Sequence, residues 1–280
     1  MNGTDRDGPT PTPLSPRLAE AERVYREMVF ETFAFELRLG HHVGFVRAFA
    51  SPRVADVLLG TGVIEREPHR RATDTGLFVW ELLHHGLDSP QGRTVLRRMR
   101  GMHARLPVPD EDYRWVLGLF VVPGLQMIER HGWRQATDGE RQAAVDWWRE
   151  VGARWGLPDV PATVDGLAAL VVDYERRHLR ANAPGRHLLE VSSAVVVEPL
   201  PRLLRPLALR CAGVLVDEPA RTALGLPRGG AVARASVHAL LRARAAWRRR
   251  RGPRPWFTPG GAHAEYPDGY TVDDLGPREA

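Results

Sequence analysis

Two short stretches of the sequence carry side chains that could do chemistry. The first is EPHRRATDTGLFVWELLHH, at residues 67–85. Helical spacing predicts that a charged and hydroxylic cluster runs into an apolar stripe on one face, formed by Arg71, Asp74, Thr75, Phe78, Leu82 and His85. A polar cluster that runs into an apolar stripe is typical of a pocket wall that holds a polar group at one end and an apolar ligand at the other. The simpler alternative is an intrahelical bond from Arg71 to Asp74 or Thr75 at an exposed helix start.

The second stretch is TVLRRMRGMHARLPVPDEDYRWVL, at residues 94–117. His103 lies at the end of a predicted helix, beside Met99 and Met102 and among several arginines. A lone histidine of this kind is more often a core or helix-end residue than a metal ligand. A neutral imidazole in an apolar setting, with arginines able to pair with propionates, is also one way to hold haem iron without cysteine.

Composition excludes several kinds of chemistry. All 39 basic residues are arginines, so neither a lysine Schiff base nor a P-loop lysine exists. Cys211 is the only cysteine, which excludes internal disulfides, a four-cysteine zinc site and a cysteine-ligated iron–sulfur cluster. The eleven histidines form no H-E-x-x-H motif, and adjacent pairs such as His41 and His42 point about 100° apart on a helix, so they do not easily share a metal.

The secondary-structure elements that position these side chains are predicted to be helices. Apolar residues recur at helical spacing, Asp110 is predicted to cap one helix, and Thr137 with Glu140 forms a capping box for another. No alternating strand pattern persists. The sequence therefore predicts one all-α domain with helices over 17–39, 42–50, 52–60, 69–86, 90–104, 110–131, 137–155, 163–181, 185–216 with a proline-marked break, and 232–250.

The ends of the chain differ from this helical body. Residues 1–16 are polar and proline-rich, which predicts a disordered leader before a domain over 17–250. Residues 251–280 are turn-rich but carry aromatics, so we expect an irregular segment that packs on the domain. The longest apolar run is too short to span a bilayer, which predicts a soluble, cytoplasmic protein.

The two stretches, followed by YPDGYTVDDLG at 266–276, resemble the catalytic-domain family of MpaB and the rubber oxygenases (latex-clearing protein). The resemblance runs in order over roughly residues 25 to 275. It implies a globin-like helical core that carries haem b, with His103 as the proximal iron ligand and Arg71 and Thr75 on the opposite side. Phe78 would line the same pocket, and the partners would be dioxygen and a hydrophobic small molecule.

One position departs from the rubber oxygenases. They have a lysine just before the threonine, and this chain has Asp74. Rubber cleavage is therefore not carried over, and the resting iron would be ligated by water, by His84 or His85, or left five-coordinate. Members with aspartate here are associated with oxidative cleavage of prenyl-type double bonds or have no assigned substrate. The resemblance implies that Asp74 accepts a proton or holds Arg71.

Other hypotheses about the function stay open. Glu175, which directly follows Tyr174, is expected to play a structural role beside an arginine. His178 is the second choice of iron ligand. The protein could instead be a non-catalytic helical binder of haem or of a hydrophobic ligand. The arginine-rich segment 242–254, with Trp247 and Trp256 nearby, suits nucleic acid or, alternatively, an anionic membrane surface.

Overall fold

The computed structural model describes residues 15–197, 201–202 and 205–277. It is 73% helical, with 13 α-helices and no strand in those ranges, which confirms the predicted all-α fold. The helices are α1 (Pro16–Glu27), α2 (Ala34–Ala48), α3 (Pro52–Thr61), α4 (Val63–Arg66), α5 (Pro68–His85), α6 (Pro90–His103), α7 (Asp110–His131), α8 (Asp138–Trp155), α9 (Val164–His178), α10 (Ala183–Val197), α11 (Arg205–Leu215), α12 (Glu218–Leu224) and α13 (Ala231–Arg251).

Capping chemistry sets several helix boundaries. The predicted capping box of α8 is confirmed, because Thr137 and Glu140 each accept the other's backbone N–H with a side-chain oxygen. The prediction that Asp110 caps α7 is wrong, since Pro109 occupies the cap position and Asp110 is the first helical residue. A carboxylate in the first turn still interacts favourably with the helix dipole. Most of the leader predicted over 1–16 lies outside the described residues, and α1 already begins at Pro16, after the cap Ser15.

The helix predicted over 17–39 is two helices. A π-helical turn, Met28–Thr32, follows α1, and Phe33 then leaves the helical region with φ −124° before α2 begins. The boundary predicted between residues 39 and 42 is absent, because α2 continues through Gly40. A Cβ at Gly40 would lie 2.4 Å from the Cα of Gly124 in α7, so this glycine allows two helix backbones to touch.

The periodicity of apolar residues did not predict two short helices. α4 has four residues and α12 has seven, too few for two full helical repeats to show in the sequence. The proline-marked break predicted within 185–216 agrees with separate helices α10 and α11, and part of the connection lies outside the described residues.

The core lies where α2 packs on α7 and α1 packs on α8. Trp115 of α7 stacks on Tyr174 of α9 with ring centroids 4.3 Å apart, and both rings are fully buried. Beside them the guanidinium of Arg47 donates to Glu175 at 2.5 Å, which confirms that Glu175 pairs with an arginine. This buried ion pair fixes α2 against α9.

The chain after α13 is irregular and packs on the helices. Trp256 donates its indole N–H to the carbonyl of Val29 at 2.9 Å and meets Trp80 of α5 edge-on at 4.7 Å. Further along, Tyr266, Tyr270 and Leu275 are buried. We call residues 256–277 the C-terminal strap, because they run across α5 and the end of α6.

Candidate active site

Helices α5 and α6 form a hairpin that brings the two chemical stretches together. The chain turns at Gly86, whose φ of +85° suits glycine, and Ser89 caps α6 by accepting the N–H of Gly92. Because the helices pack side by side after so short a turn, the end of α6 returns to the start of α5. His103 and Arg71 consequently lie close enough for the charge of Arg71 to act on the imidazole.

The imidazole of His103 is oriented by its own helix. Its Nδ1 lies 2.7 Å from the carbonyl oxygen of Met99, and because a carbonyl only accepts, Nδ1 carries the proton and Nε2 holds the lone pair. The ring packs 4.9 Å from Trp155, and Tyr113 donates to the backbone carbonyl of His103 at 3.0 Å. Nothing in the described part of the chain hydrogen bonds to Nε2.

Burial is the main influence on the ionisation of His103. It lowers the pKa of the imidazole, and the cation of Arg71 lowers that pKa further, while the bond to Met99 opposes the shift. The neutral ring therefore predominates at neutral pH. A neutral imidazole with a free Nε2 is the form that ligates a metal ion.

Arg71 and Thr75 form a bonded pair one helical turn apart on α5. The guanidinium of Arg71 donates to the hydroxyl of Thr75, and that hydroxyl lies 3.1 Å from the carbonyl of Arg71. The aromatic ring of Phe45, on α2, lies 5.9 Å from the guanidinium carbon. Burial lowers the pKa of Arg71, partly offset by the charge of Asp74, and no carboxylate among the described residues forms an ion pair with it. A partly buried cation without a paired anion is suited to a polar or anionic ligand.

Asp74 points away from this pair. Its Oδ1 accepts the hydroxyl of Tyr266 at 2.6 Å, and its Oδ2 accepts the backbone N–H of Gly276 at 2.8 Å. Adjacent residues on a helix lie about 100° apart, so Asp74 and Thr75 face different neighbours. The face predicted to hold Arg71, Asp74, Thr75 and Phe78 together is thus divided, with Asp74 committed to the C-terminal strap.

Phe78 is buried where the strap meets the hairpin. A Cβ built on Gly276 would lie 3.7 Å from Phe78 and 2.7 Å from the sulfur of Met102, on α6. Phe78 therefore forms an apolar wall between α5, α6 and the strap, one turn beyond Thr75.

Glu81 is a buried carboxylate that the sequence analysis did not single out. Its Oε1 accepts the hydroxyl of Tyr270 at 2.5 Å and the N–H of Gly260 at 2.9 Å, and its Oε2 lies 3.0 Å from Nε2 of His85. Asp74 and Glu81 are seven residues apart, so they lie on one edge of α5 and hold the strap at two points. The signal in the sequence was the seven-residue spacing of the two acids of α5.

The other candidate histidines lie elsewhere. His85 is ten residues beyond Thr75, about 15 Å along α5, and is engaged with Glu81. His84 packs among the rings of Phe30 and Phe257. Nε2 of His178 lies 3.4 Å from Glu111. The structure places none of the three beside His103.

An open cavity of about 1030 Å³ lies next to the hairpin, under the strap. Arginines and acids share its rim, and two of the arginines bond the strap: Arg70 to the carbonyl of Asp274, and Arg98 to that of Leu275. Arg105 also lines the cavity and has no ion pair with any residue that the structure describes. Arg105 is therefore available to an anionic group at this cavity, which His103 and Arg71 do not line.

Comparison with known proteins identifies the family of the chain. Residues 34–249 match the family model described as "ER-bound oxygenase mpaB/B'/Rubber oxygenase, catalytic domain". The chain belongs to this oxygenase family. The match includes α5, α6 and every candidate residue of the hairpin, while the strap lies beyond it.

Curated fungal relatives are similar over much of the chain. The "ER-bound oxygenase mpaB'" of Penicillium brevicompactum is 23% identical over 223 residues, which are 73% of this chain and 53% of the relative. The "ER-bound oxygenase mpaB" of Penicillium roqueforti is also 23% identical over 223 residues, covering 73% of this chain and 75% of that protein. A further mpaB, from Penicillium brevicompactum, is 22% identical over 64% of this chain and 50% of its own length. The chain thus spans about half the length of two of these relatives.

No helix in the described ranges is long and apolar enough to cross a membrane. The same residues contain no group of three or more His, Cys, Asp or Glu side chains able to hold a metal ion. A metal bound through His103 would therefore need its other ligands from elsewhere. A porphyrin supplies four, so the single histidine fits haem better than a bare ion.

Proposed function

We propose that this protein is a haem b-dependent oxygenase that oxidises an apolar alkene of the prenyl or terpenoid type. The observation that carries the proposal is the pairing across the hairpin of a neutral, oriented His103 with a partly buried cation, Arg71, that has no carboxylate partner among the described residues. Membership of the oxygenase family supports the same reading. The cytoplasmic location predicted from the sequence stays a prediction, since the relatives are named as ER-bound.

The residues present fit a haem group. Nε2 of His103 would ligate the iron, and its basicity is raised by the bond from Nδ1 to the carbonyl of Met99. Arg105 would be free to pair with a propionate at the cavity. When bound, the haem supplies an iron centre that reacts with dioxygen, and the protein controls access and polarity around it.

The protein's own contribution is charge and orientation. Arg71 is held by Thr75, so its guanidinium has a fixed direction and does not need to reorganise as negative charge develops on a bound ligand. The Thr75 hydroxyl can donate to the same ligand if it gives up its contact with its own helix. Asp74 is bonded through both oxygens to the strap, so we assign it the role of holding α5 in place.

Apolar side chains around this pair suit a hydrophobic substrate. Phe45 lies near Arg71, and Phe78 and Met102 both lie beside Gly276 of the strap. Such walls exclude water and bind an alkene through its apolar area. Because Asp74 replaces the lysine of the rubber oxygenases, we do not assign rubber as the substrate.

Haem titration followed by absorption spectroscopy tests the proposal. The full chain, supplied with haem, should show a Soret band that shifts on reduction with dithionite. His103→Ala should bind haem at least tenfold more weakly, while His178→Ala, which removes the alternative ligand, should bind normally. Normal binding by His103→Ala, or no Soret band in the folded wild-type protein, would refute the proposal. Haem binding without oxygen consumption in the presence of prenyl alkenes would instead favour the non-catalytic binder.

A further inference from the structure

Helix α13 carries an exposed apolar stripe on its outer face. Val232 is 79% exposed, Leu240 is 71% exposed and Trp247 is 53% exposed. These residues are spaced eight and seven apart, so they lie on one side of the helix. Exposed alanines fill the space between them at positions 235, 239, 243 and 246. Large apolar side chains that line up on a surface, rather than being scattered singly, indicate a contact site.

The same helix is strongly basic. No aspartate or glutamate occurs between Glu218 and Glu265, a stretch that contains ten arginines. Some of these arginines fix the inner face of α13 to the body: Arg244 donates to Glu36 at 2.7 Å, and Arg248 donates to the carbonyl of Glu31 at 2.7 Å. Others remain on the outside. Arg242 and Arg250 are exposed and form no ion pair within the part of the chain that the structure describes.

From this combination we infer that the outer face of α13 binds the surface of an anionic phospholipid bilayer. The helix would lie parallel to the surface, with Val232, Leu240 and Trp247 inserted among the acyl chains. Arg242, at the edge of the stripe, and Arg250, at its C-terminal end, would reach the phosphates while their stems cover apolar area. The ring of Trp247 suits the boundary between headgroups and hydrocarbon, because it is apolar with one polar N–H.

Other occupants fit this face less well. Nucleic acid would use the arginines, but it gives no role to three exposed apolar side chains spread over four turns. A second copy of the chain packed face to face would oppose two arginine-rich surfaces, which repel each other. A bilayer with acidic headgroups satisfies both the apolar stripe and the charge.

Vesicle co-sedimentation with the full chain tests the inference. The protein should pellet with vesicles of phosphatidylcholine and phosphatidylglycerol, but only weakly with pure phosphatidylcholine, and added salt should weaken the binding. The double variant Arg242→Gln/Arg250→Gln should bind roughly 30-fold more weakly, from about fivefold for each arginine. Leu240→Ser/Trp247→Ser should lose at least tenfold, because the inserted apolar area is removed.

A matched control is available on α9. Val172 is 64% exposed and Arg176 is an exposed arginine, but neither belongs to the α13 face. Val172→Ser/Arg176→Gln should bind vesicles as the wild type does. Circular dichroism would show that all variants fold, as expected for exposed positions.

Three outcomes would overturn the inference. The first is absence of binding to the acidic vesicles, and the second is equal loss in the α9 control. The third is a concentration-dependent dimer, or binding to duplex DNA, that depends on Leu240 and Trp247 while vesicles are not bound. The assay needs no haem, so its result is independent of the function proposed for the hairpin.

Discussion

The hydroxyl of Tyr266 donates to Asp74 at 2.6 Å, and this bond ties the C-terminal strap to the helix that carries Arg71 and Thr75. Burial, together with the negative charge of Asp74, raises the pKa of Tyr266, so the hydroxyl keeps its proton and remains a donor. Glu81 repeats the arrangement with Tyr270, two helical turns further along. The strap is therefore part of the structure that positions the candidate site.

Tyr266→Phe removes a hydrogen bond to a buried carboxylate and leaves one oxygen of Asp74 without its donor. We expect the free energy of unfolding to fall by about 2–3 kcal/mol, the range for a bond to a charged group. Urea denaturation measures it. Tyr113→Phe is the control, because it loses a bond to the neutral carbonyl of His103 and should cost about 1 kcal/mol. Equal losses in the two variants would contradict the assigned role of Asp74.

Gly276→Ala should loosen the end of the strap. Its φ of +95° is unfavourable for any residue with a Cβ, and that Cβ would lie 2.7 Å from the sulfur of Met102. The flexible Met102 can move, but the backbone strain remains, so we expect a loss of about 1–3 kcal/mol. Gly101→Ala, in the exposed end of α6 with no atom within 4 Å, should instead stabilise by up to about 1 kcal/mol. Thermal unfolding of both variants separates strain from the generic effect of a methyl group.

The two helices of the hairpin and the bond between Arg71 and Thr75 could be predicted from the sequence, because periodicity marks the helices and these two residues are one helical turn apart. The role of Asp74 could not. Its partners, Tyr266 and Gly276, are about 200 residues away in the sequence. A local sequence pattern does not predict a contact between residues so far apart. The break at Phe33 was missed for a related reason, since the residues of a π-helical turn are ordinary helix formers and only tertiary packing selects the wider turn.

Arg71→Met tests the cation of the candidate site directly. Because Arg71 is only partly buried and has no carboxylate partner among the described residues, its removal should change the free energy of unfolding by no more than about 1 kcal/mol. In protein reconstituted with haem, the same change should weaken the binding of azide, a small anion that ligates ferric haem, by about tenfold or more. Arg97→Met, an exposed arginine of α6, is the control and should alter neither quantity. If Arg71→Met binds azide as tightly as the wild type does, Arg71 does not contribute to the haem pocket.

His41 should make the stability of the protein depend on pH. Its Nε2 is buried without a hydrogen-bond partner among the described residues, and burial lowers the pKa of the imidazole to about 4, with His42 adding to the shift and the nearby backbone of Phe120 opposing it. Between this value and about 6.5, the ordinary pKa of histidine, the unfolded chain binds a proton that the folded chain does not. The contribution of His41 therefore leaves the free energy of unfolding at its full value above about pH 6.5, and this free energy decreases as the pH falls toward 4.

The matching experiment compares the free energy of unfolding of the wild type and His41→Leu at about pH 7 and about pH 5. On acidification the wild type should lose about 2 kcal/mol more than the variant, because leucine cannot take up the proton. His42→Leu, which replaces the exposed neighbouring ring, should retain the dependence of the wild type. Parallel curves for His41→Leu and the wild type would mean that the acid sensitivity of this fold arises elsewhere.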